Sequence, residues 1–197
     1  MTTADTLLFA QVPHVLVLGT PSFEPVLPGE LAVHAHVDST DGEELLAAYL
    51  SSARYWVENE LQMALATRSF TLYMDMFPAW EIQFRMPPVT AISAVNYIDT
   101  NGNSQVLDSS IYVTDLVHSP ARLTPQWGKF FPYTRPIVNS VNITGTCGYA
   151  TASAVPEPAK QAIRYLAAMM YEQREPGPND LKIAQRILDP IRWEGRL

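Results

Sequence analysis

At 197 residues the chain can bury a respectable core as one domain, or as one domain with an elaboration. Apolar residues make up 47% and charged residues only 17%, which excludes a globally disordered polymer. The formal charge of −7 leaves no basic footprint for general nucleic-acid binding, though DNA could pass such a surface without sticking.

Cys147 is the single cysteine, so an internal disulfide framework is excluded. No apolar run approaches the length that spans a bilayer. Residues 1–20 lack the basic start of a secretory signal. The expectation is a soluble, intracellular protein with no membrane partner. Its sixteen prolines, most of them outside two helical stretches, predict long ordered loops or arms.

Residues 1–30 show no period. Val15-Leu16-Val17-Leu18 reads as a short buried strand, and Pro21, Pro25, Pro28 and Gly29 give the next stretch a loop-like character. The segment is predicted to be an extension that docks on the body or on a neighbour. Over Leu31 to Asp38, His34, His36 and Asp38 alternate, so in an extended chain all three face one way.

The organising element runs from Thr40 to Ala66. Thr40 and Glu43 have the spacing of a capping box. Leu45, Leu46, Tyr49, Ala53, Trp56, Val57, Leu61 and Ala64 then recur every three or four residues, which predicts one apolar helical stripe. At 1.5 Å per residue the helix would be about 35–40 Å long. Arg54 and Glu58 fall on the polar face with Glu44, Ser51, Asn59 and Gln62, as a surface pair worth tenths of a kcal/mol.

Strand patterns come next. Ser69 to Phe77 alternates, with Phe70, Leu72, Met74 and Met76 on one side; Glu81 to Met86 repeats this with Ile82, Phe84 and Met86. Pro87-Pro88 closes that strand and Val89 to Ile98 begins another. Asp99-Thr100-Asn101-Gly102-Asn103 is a tight-turn signal, because Asn-Gly tolerates positive φ. Val106-Leu107 and Ile111 to Thr114 continue the antiparallel pattern. Leu116 to Pro136 reads as a long hairpin or loop with its own cluster of Trp127, Phe130, Phe131 and Tyr133. Ile137 to Tyr149 supplies the last strand.

A second helix is predicted over 155–175. Pro156 and Pro158 fit its first turn, Glu157 complements the dipole, and Ala159, Ala162, Ile163, Leu166, Ala167 and Met170 form its stripe. After Pro178, Asn179 or Asp180 caps a short helix bearing Leu181, Ala184, Ile187 and Leu188. Ile191, Arg192 and Trp193 end the chain with apolar bulk where termini are usually polar, so they either fold back or dock on a partner. The fold class is therefore α+β: a helical layer from 41–66 and 155–175, an antiparallel β insertion at 67–150, and extended terminal arms. The corresponding divisions are 1–30 (extension), 31–175 (main domain) and 176–197 (docking tail).

In this order the signals resemble the head–tail connector (head-completion adaptor) family of tailed bacteriophages and gene transfer agents. Four passages carry the likeness. LAVHAHVDSTDGEELLAAYLSSA (Leu31 to Ala53) is similar to the family's short element, acidic turn and amphipathic helix, ending in the pair Ala53-Arg54. Ile82 to Tyr97 resembles the strand through Pro87-Pro88-Val89 into a Val-Tyr-containing strand and Asn-Gly turn. Val141 to Tyr149 resembles the strand closing on Gly148-Tyr149. Val155-Pro156 to Arg174-Glu175 resembles the closing helix. The likeness spans roughly 31–175 and lies in order and spacing. A family Trp-Pro in the loop is replaced here by Phe131-Pro132, and residues 1–30 fall outside it.

The resemblance implies a non-enzymatic virion protein without cofactors, in the neck of a particle assembled in the host cytoplasm. It implies a ring of about twelve copies under the portal protein, extending the DNA channel and carrying tail or stopper proteins. Genomic DNA would pass without sequence-specific binding, and an acidic ring would not retain it. The implied portal-docking residues are Ile187, Leu188, Pro190, Ile191, Arg192 and Trp193. Trp127, Phe130, Phe131 and Tyr133 are candidates for contact with neighbouring subunits or the tail side.

Other readings are weaker on the residues. His34, His36 and Asp38 could serve a metal-dependent hydrolase, but further ligands are lacking beyond the peripheral His14 and His118. Cys147 has no evident group to lower its thiol pKa and reads as a buried strand cysteine. Phosphate-cradling Gly loops and nucleophile elbows are absent. A stopper or tail-completion role, and a carbohydrate-binding module using Trp127, remain alternatives.

Overall fold

The structure, a computed structural model, describes residues 14–35 and 42–192. They fall into two compact units. One joins the chain up to Thr20 with Arg68–Cys147, and the other joins Pro21–Thr67 with the chain from Gly148 onward.

The second unit is helical: α1 (Pro28–Ala35), α2 (Glu43–Leu61), α3 (Glu157–Gln173) and α4 (Pro178–Leu188), closed by a 3-10 turn at Asp189–Ile191. The two predicted helices do bury their apolar stripes in one core. Leu46, Leu50, Ala53, Val57 and Leu61 of α2 meet Ala159, Ala162, Ile163, Leu166 and Ala167 of α3. Each fully buried Leu or Ile there contributes about 1.5–3 kcal/mol. The alanines of α3 remove bulk where the helices approach. Gly42 stands at the N-cap of α2, and Thr40 of the expected capping box lies outside the described residues.

Three expectations need correction in this unit. Arg54 and Glu58 are not on a solvated face; both are buried, because the stripe is centred nearer Leu50 than the sequence spacing indicates, and Leu45 is exposed instead. Residues 31–35 are not extended but form the end of α1, where Leu31 and Ala32 enter the helical core. Pro28 opens that helix, in the first-turn position where a missing N–H costs nothing. His34 therefore sits exposed on a helix, and alternation no longer aligns it with His36 and Asp38, which lie outside the described residues.

The first unit is antiparallel β throughout. In chain order its strands are β1 (His14–Leu18), β2 (Arg68–Met74), β3 (Ile82–Phe84), β4 (Val89–Ile98), β5 (Ser104–Val106), β6 (Tyr112–Asp115), β7 (Ala121–Pro125) and β8 (Val141–Cys147). They make a five-stranded sheet in the order β1-β2-β8-β4-β5 and a three-stranded sheet in the order β3-β7-β6. The alternation read from the sequence holds: Phe70, Leu72 and Met74 of β2 are buried, as are Ile82 and Phe84 of β3 and Val141, Ile143 and Cys147 of β8. The rings of Phe70 and Phe84, 5.7 Å between centroids, bring the apolar sides of the two sheets together. Gly145 is dictated by that packing, since a Cβ there would lie 2.7 Å from the Phe70 ring.

β1 is the edge of the five-stranded sheet and not a buried strand. Val15 and Val17 are exposed because register sets them beside Tyr73 and Thr71, on the side of the sheet away from the core. Met76, expected inside, is exposed beyond the end of β2. The turn at residues 99–103 forms as expected. Asp99 accepts from the backbone N–H groups of Asn101 and Asn103, each at 2.9 Å, and Gly102 adopts φ +92°. These hydrogen bonds, Asn103 first, hold the Asp99 carboxyl below its ordinary pKa.

Candidate functional surfaces

Catalytic chemistry finds little support in the side chains. Among the described residues no three His, Cys, Asp or Glu side chains gather as a metal site would require. Cys147 is wholly buried at the end of β8, in agreement with the strand pattern. An open groove of about 390 Å³ beside β4 and β5 is lined by Ser93, Val106, Asp108, Ser109 and Tyr112 among others. Its carboxylate, Asp108, accepts from Ser110 N–H at 2.7 Å, and that bond lowers its pKa. Asp108 is thus held ionised as a turn cap, which suits it poorly to carry a proton near neutral pH. The carboxyls of Asp115 and Glu157 are likewise lowered, the first chiefly by the His118 N–H and the second by Lys160 and Arg164. Each of these three carboxyls is stabilised as the anion by its hydrogen-bond donors.

The predicted aromatic cluster does not form as one. Phe131 alone turns inward, stacking on Phe77 at 4.9 Å with 15° between ring planes. Trp127 is 94% exposed, Tyr133 92% and Phe130 79%. Where the sequence predicts only loop or hairpin, β7 takes Ala121 and Leu123 into the core. Gln126 N–H donates to the Ile111 carbonyl and the chain then turns outward, so three rings project from a short loop on a fixed base. Rings held in water this way leave apolar area unburied, and such patches mark interaction sites.

The C-terminal candidates separate into distinct environments. Leu188 is fully buried in the helical core, and Ile187 and Ile191 pack partly against it. Pro190 is exposed. Arg192 is tied down by Glu60 of α2, Nη2 to Oε1 at 2.6 Å, and Gln185 reaches the same carboxylate at 3.3 Å. Trp193 lies outside the described residues. Tyr165 donates to Asp180 at 3.0 Å, and Asp180 also accepts from Gly177 N–H at 2.8 Å, fixing the start of α4. The candidate tail up to residue 192 is therefore part of the folded helical unit.

Sequence reading misses a buried ionic group. Arg54 donates through Nε to Glu24 at 2.8 Å and through Nη1 to Glu58 at 2.9 Å. Glu58 also accepts from the backbone N–H of Leu65 at 2.9 Å. Burial works against the Arg54 charge, but Glu24 and Glu58 outweigh it and its pKa is raised. The available signal is phase: Leu50, Arg54 and Glu58 are each four apart and share the face of Val57 and Leu61. Arg54 thereby pins the loop carrying Glu24 to α2, and Glu58 pins the chain leaving it.

No protein family profile and no curated protein matches the chain by sequence. Solved structures do match in fold. A chain from the neck of an empty gene transfer agent particle, computed with C6 symmetry, aligns at a TM-score of 0.72 and 23% identity, covering 88% of this chain and 94% of that one. A chain from the virion of a native gene transfer agent particle gives 0.67 and 22%, covering 87% and 94%. A chain from the neck of a native particle, computed with C12 symmetry, gives 0.67 and 22%, covering 93% and 100%. The protein therefore has the fold of these chains over nearly its whole length.

Proposed function

We propose that this protein is a structural component of a virion neck, a head–tail adaptor that acts by assembly and not by catalysis. The observation that carries the reading is the fold likeness to gene transfer agent neck chains, which extends over both units and almost all of each partner. The ordered passages from Leu31 to Glu175 support it. In this reading the copies form a ring, of about twelve, under the portal protein. The ring lengthens the channel, passes DNA without binding its sequence, and offers its far side to tail or stopper proteins. A net charge of −7 per copy suits a wall that must not hold the phosphate backbone.

The portal anchor is proposed at the C-terminal end. Leu188, Ile187 and Ile191 root the segment in the helical core, Arg192 fixes its exit through Glu60, and Pro190 and Trp193 are the groups offered to the portal. Buried Trp and Arg dominate interface energetics, which is why this segment is chosen. The test is removal of residues 193–197, which spares Leu188 and the Arg192–Glu60 pair. The shortened protein should keep its melting temperature and fail to co-purify with portal. Undiminished co-purification would refute the anchor.

A further inference from the structure

The side of the five-stranded sheet that faces away from the core is free of charge across its middle, over β2, β8 and β4. Register places Thr71 and Tyr73 of β2 beside Thr144 and Asn142 of β8, and Ala94 and Asn96 of β4 beside those. Thr146 and Ser69 extend the row at one end. The margins are apolar: Val15 and Val17 on β1, Val106 on β5, all at least half exposed. None of these side chains is buried, and the carboxylates stand at the rim: Asp108, two residues beyond Val106, lines a groove with Ala94, and Asp75 lies just past the end of β2. Asn96 and Asn142 satisfy each other at 3.0 Å, as do the hydroxyls of Thr90 and Thr146 at 2.8 Å, so much of the polarity is already paired within the sheet. Arg68 of β2 is buried, and other charges of the unit stand in turns and on the smaller sheet, at Asp99, Asp115, Arg122 and Lys129.

We propose that this neutral face receives the Trp127–Tyr133 loop of a second copy of the same chain. The inference rests on the ring reading above and specifies its subunit contact. A closed ring is built from head-to-tail contacts, which need two different complementary surfaces on each copy. The β unit carries such a pair: a loop projecting three exposed rings, and a sheet face whose uncharged middle holds two self-paired polar couples, Asn96–Asn142 and Thr90–Thr146. Charge selects the partner. Copies that each carry −7 repel, so contact between them is favoured where neither side presents a carboxylate. The loop fits that condition too, since its one charged residue between 126 and 133 is Lys129. Rings laid across Thr, Asn and Val side chains bury large area at small conformational cost, as interface anchors do.

The test mixes two single-cysteine additions, Gln126→Cys in one preparation, which keeps the three rings of the loop, and Thr144→Cys in another, under conditions where electron microscopy shows the wild-type full-length protein forming rings. Oxidation of the mixture should give cross-linked dimers, and oxidation of either preparation alone should give few. A third variant, Thr144→Asp, should reduce ring formation at least tenfold while leaving the circular dichroism spectrum and melting temperature unchanged. Rings that form normally with Thr144→Asp, or cross-links only between like copies, would overturn this contact and leave the ring reading standing. A wild-type protein that forms no ring under any condition, portal included, would overturn both.

Discussion

The two units manage their unusual groups in opposite ways. The helical unit takes charge inside: Arg54, Glu24 and Glu58 form an ionic group at the edge of an Ala- and Leu-rich core, with Leu65 N–H completing it. The β unit leaves apolar bulk outside, in Trp127, Phe130, Tyr133, Val15 and Val106. The first arrangement ties segments of one chain to each other. The second leaves apolar surface exposed on a single chain, as interaction sites do. Stability and assembly are separable on this basis: changes in the helical unit should act on folding, and changes on the β unit's surface should act on association.

The most severe challenge to that separation concerns Glu58. Glu58→Ala leaves Arg54 buried with a single, partly exposed carboxylate and removes the acceptor of Leu65 N–H. A loss of about 3–5 kcal/mol in urea unfolding is expected. A loss below about 1 kcal/mol would mean that the ionic group does not hold the unit together. Next comes Leu188→Ala, which empties a fully buried site in the same core and should cost about 2–5 kcal/mol whether or not portal is present. Trp127→Ala probes the β unit's surface in the same terms. Its side chain is almost wholly exposed, so stability should change by no more than about 0.5 kcal/mol, while assembly is lost.

The mildest effect is that of pH. Asp99, Asp115 and Glu157 have folded-state pKa values below their ordinary ones, set by backbone donors for the first two and by Lys160 and Arg164 for the third. A depressed carboxyl contributes stability that is full above its unfolded value, about 4, and is lost as pH falls through the folded value. Stability should therefore be flat with respect to these groups from neutral pH down to about 5 and decline below about 4. Asp99→Asn should make the decline shallower, as measured by the unfolding midpoint across that range.

Much of the architecture is legible in the sequence because periodicity reports burial directly. The α2 and α3 stripes and the Phe70–Leu72–Met74 alternation are each visible in the residue order and present in the fold. The Asn101-Gly102 turn is legible for a different reason: few backbones other than a tight turn demand that dipeptide. Features set by tertiary partners escape. Arg54 looks like any solvated arginine until Glu24, thirty residues away, comes to meet it. Residues 28–35 open on Pro28-Gly29 and show no helical period of their own, and packing of Leu31 and Ala32 into the helical core makes them α1. The aromatic segment reads as a cluster because rings usually bury each other, yet only Phe131 finds a partner, Phe77. The uncharged middle of the sheet face is invisible in the sequence because it depends on the register of strands brought together from residues 68 to 147.

Electron microscopy of the purified full-length protein mixed with its portal decides whether the chain works as one member of a ring. The expected image is a closed ring of about twelve copies stacked on the portal and sharing its axis. Single copies scattered free of the portal, or a portal left bare beside a folded monomer, would contradict it.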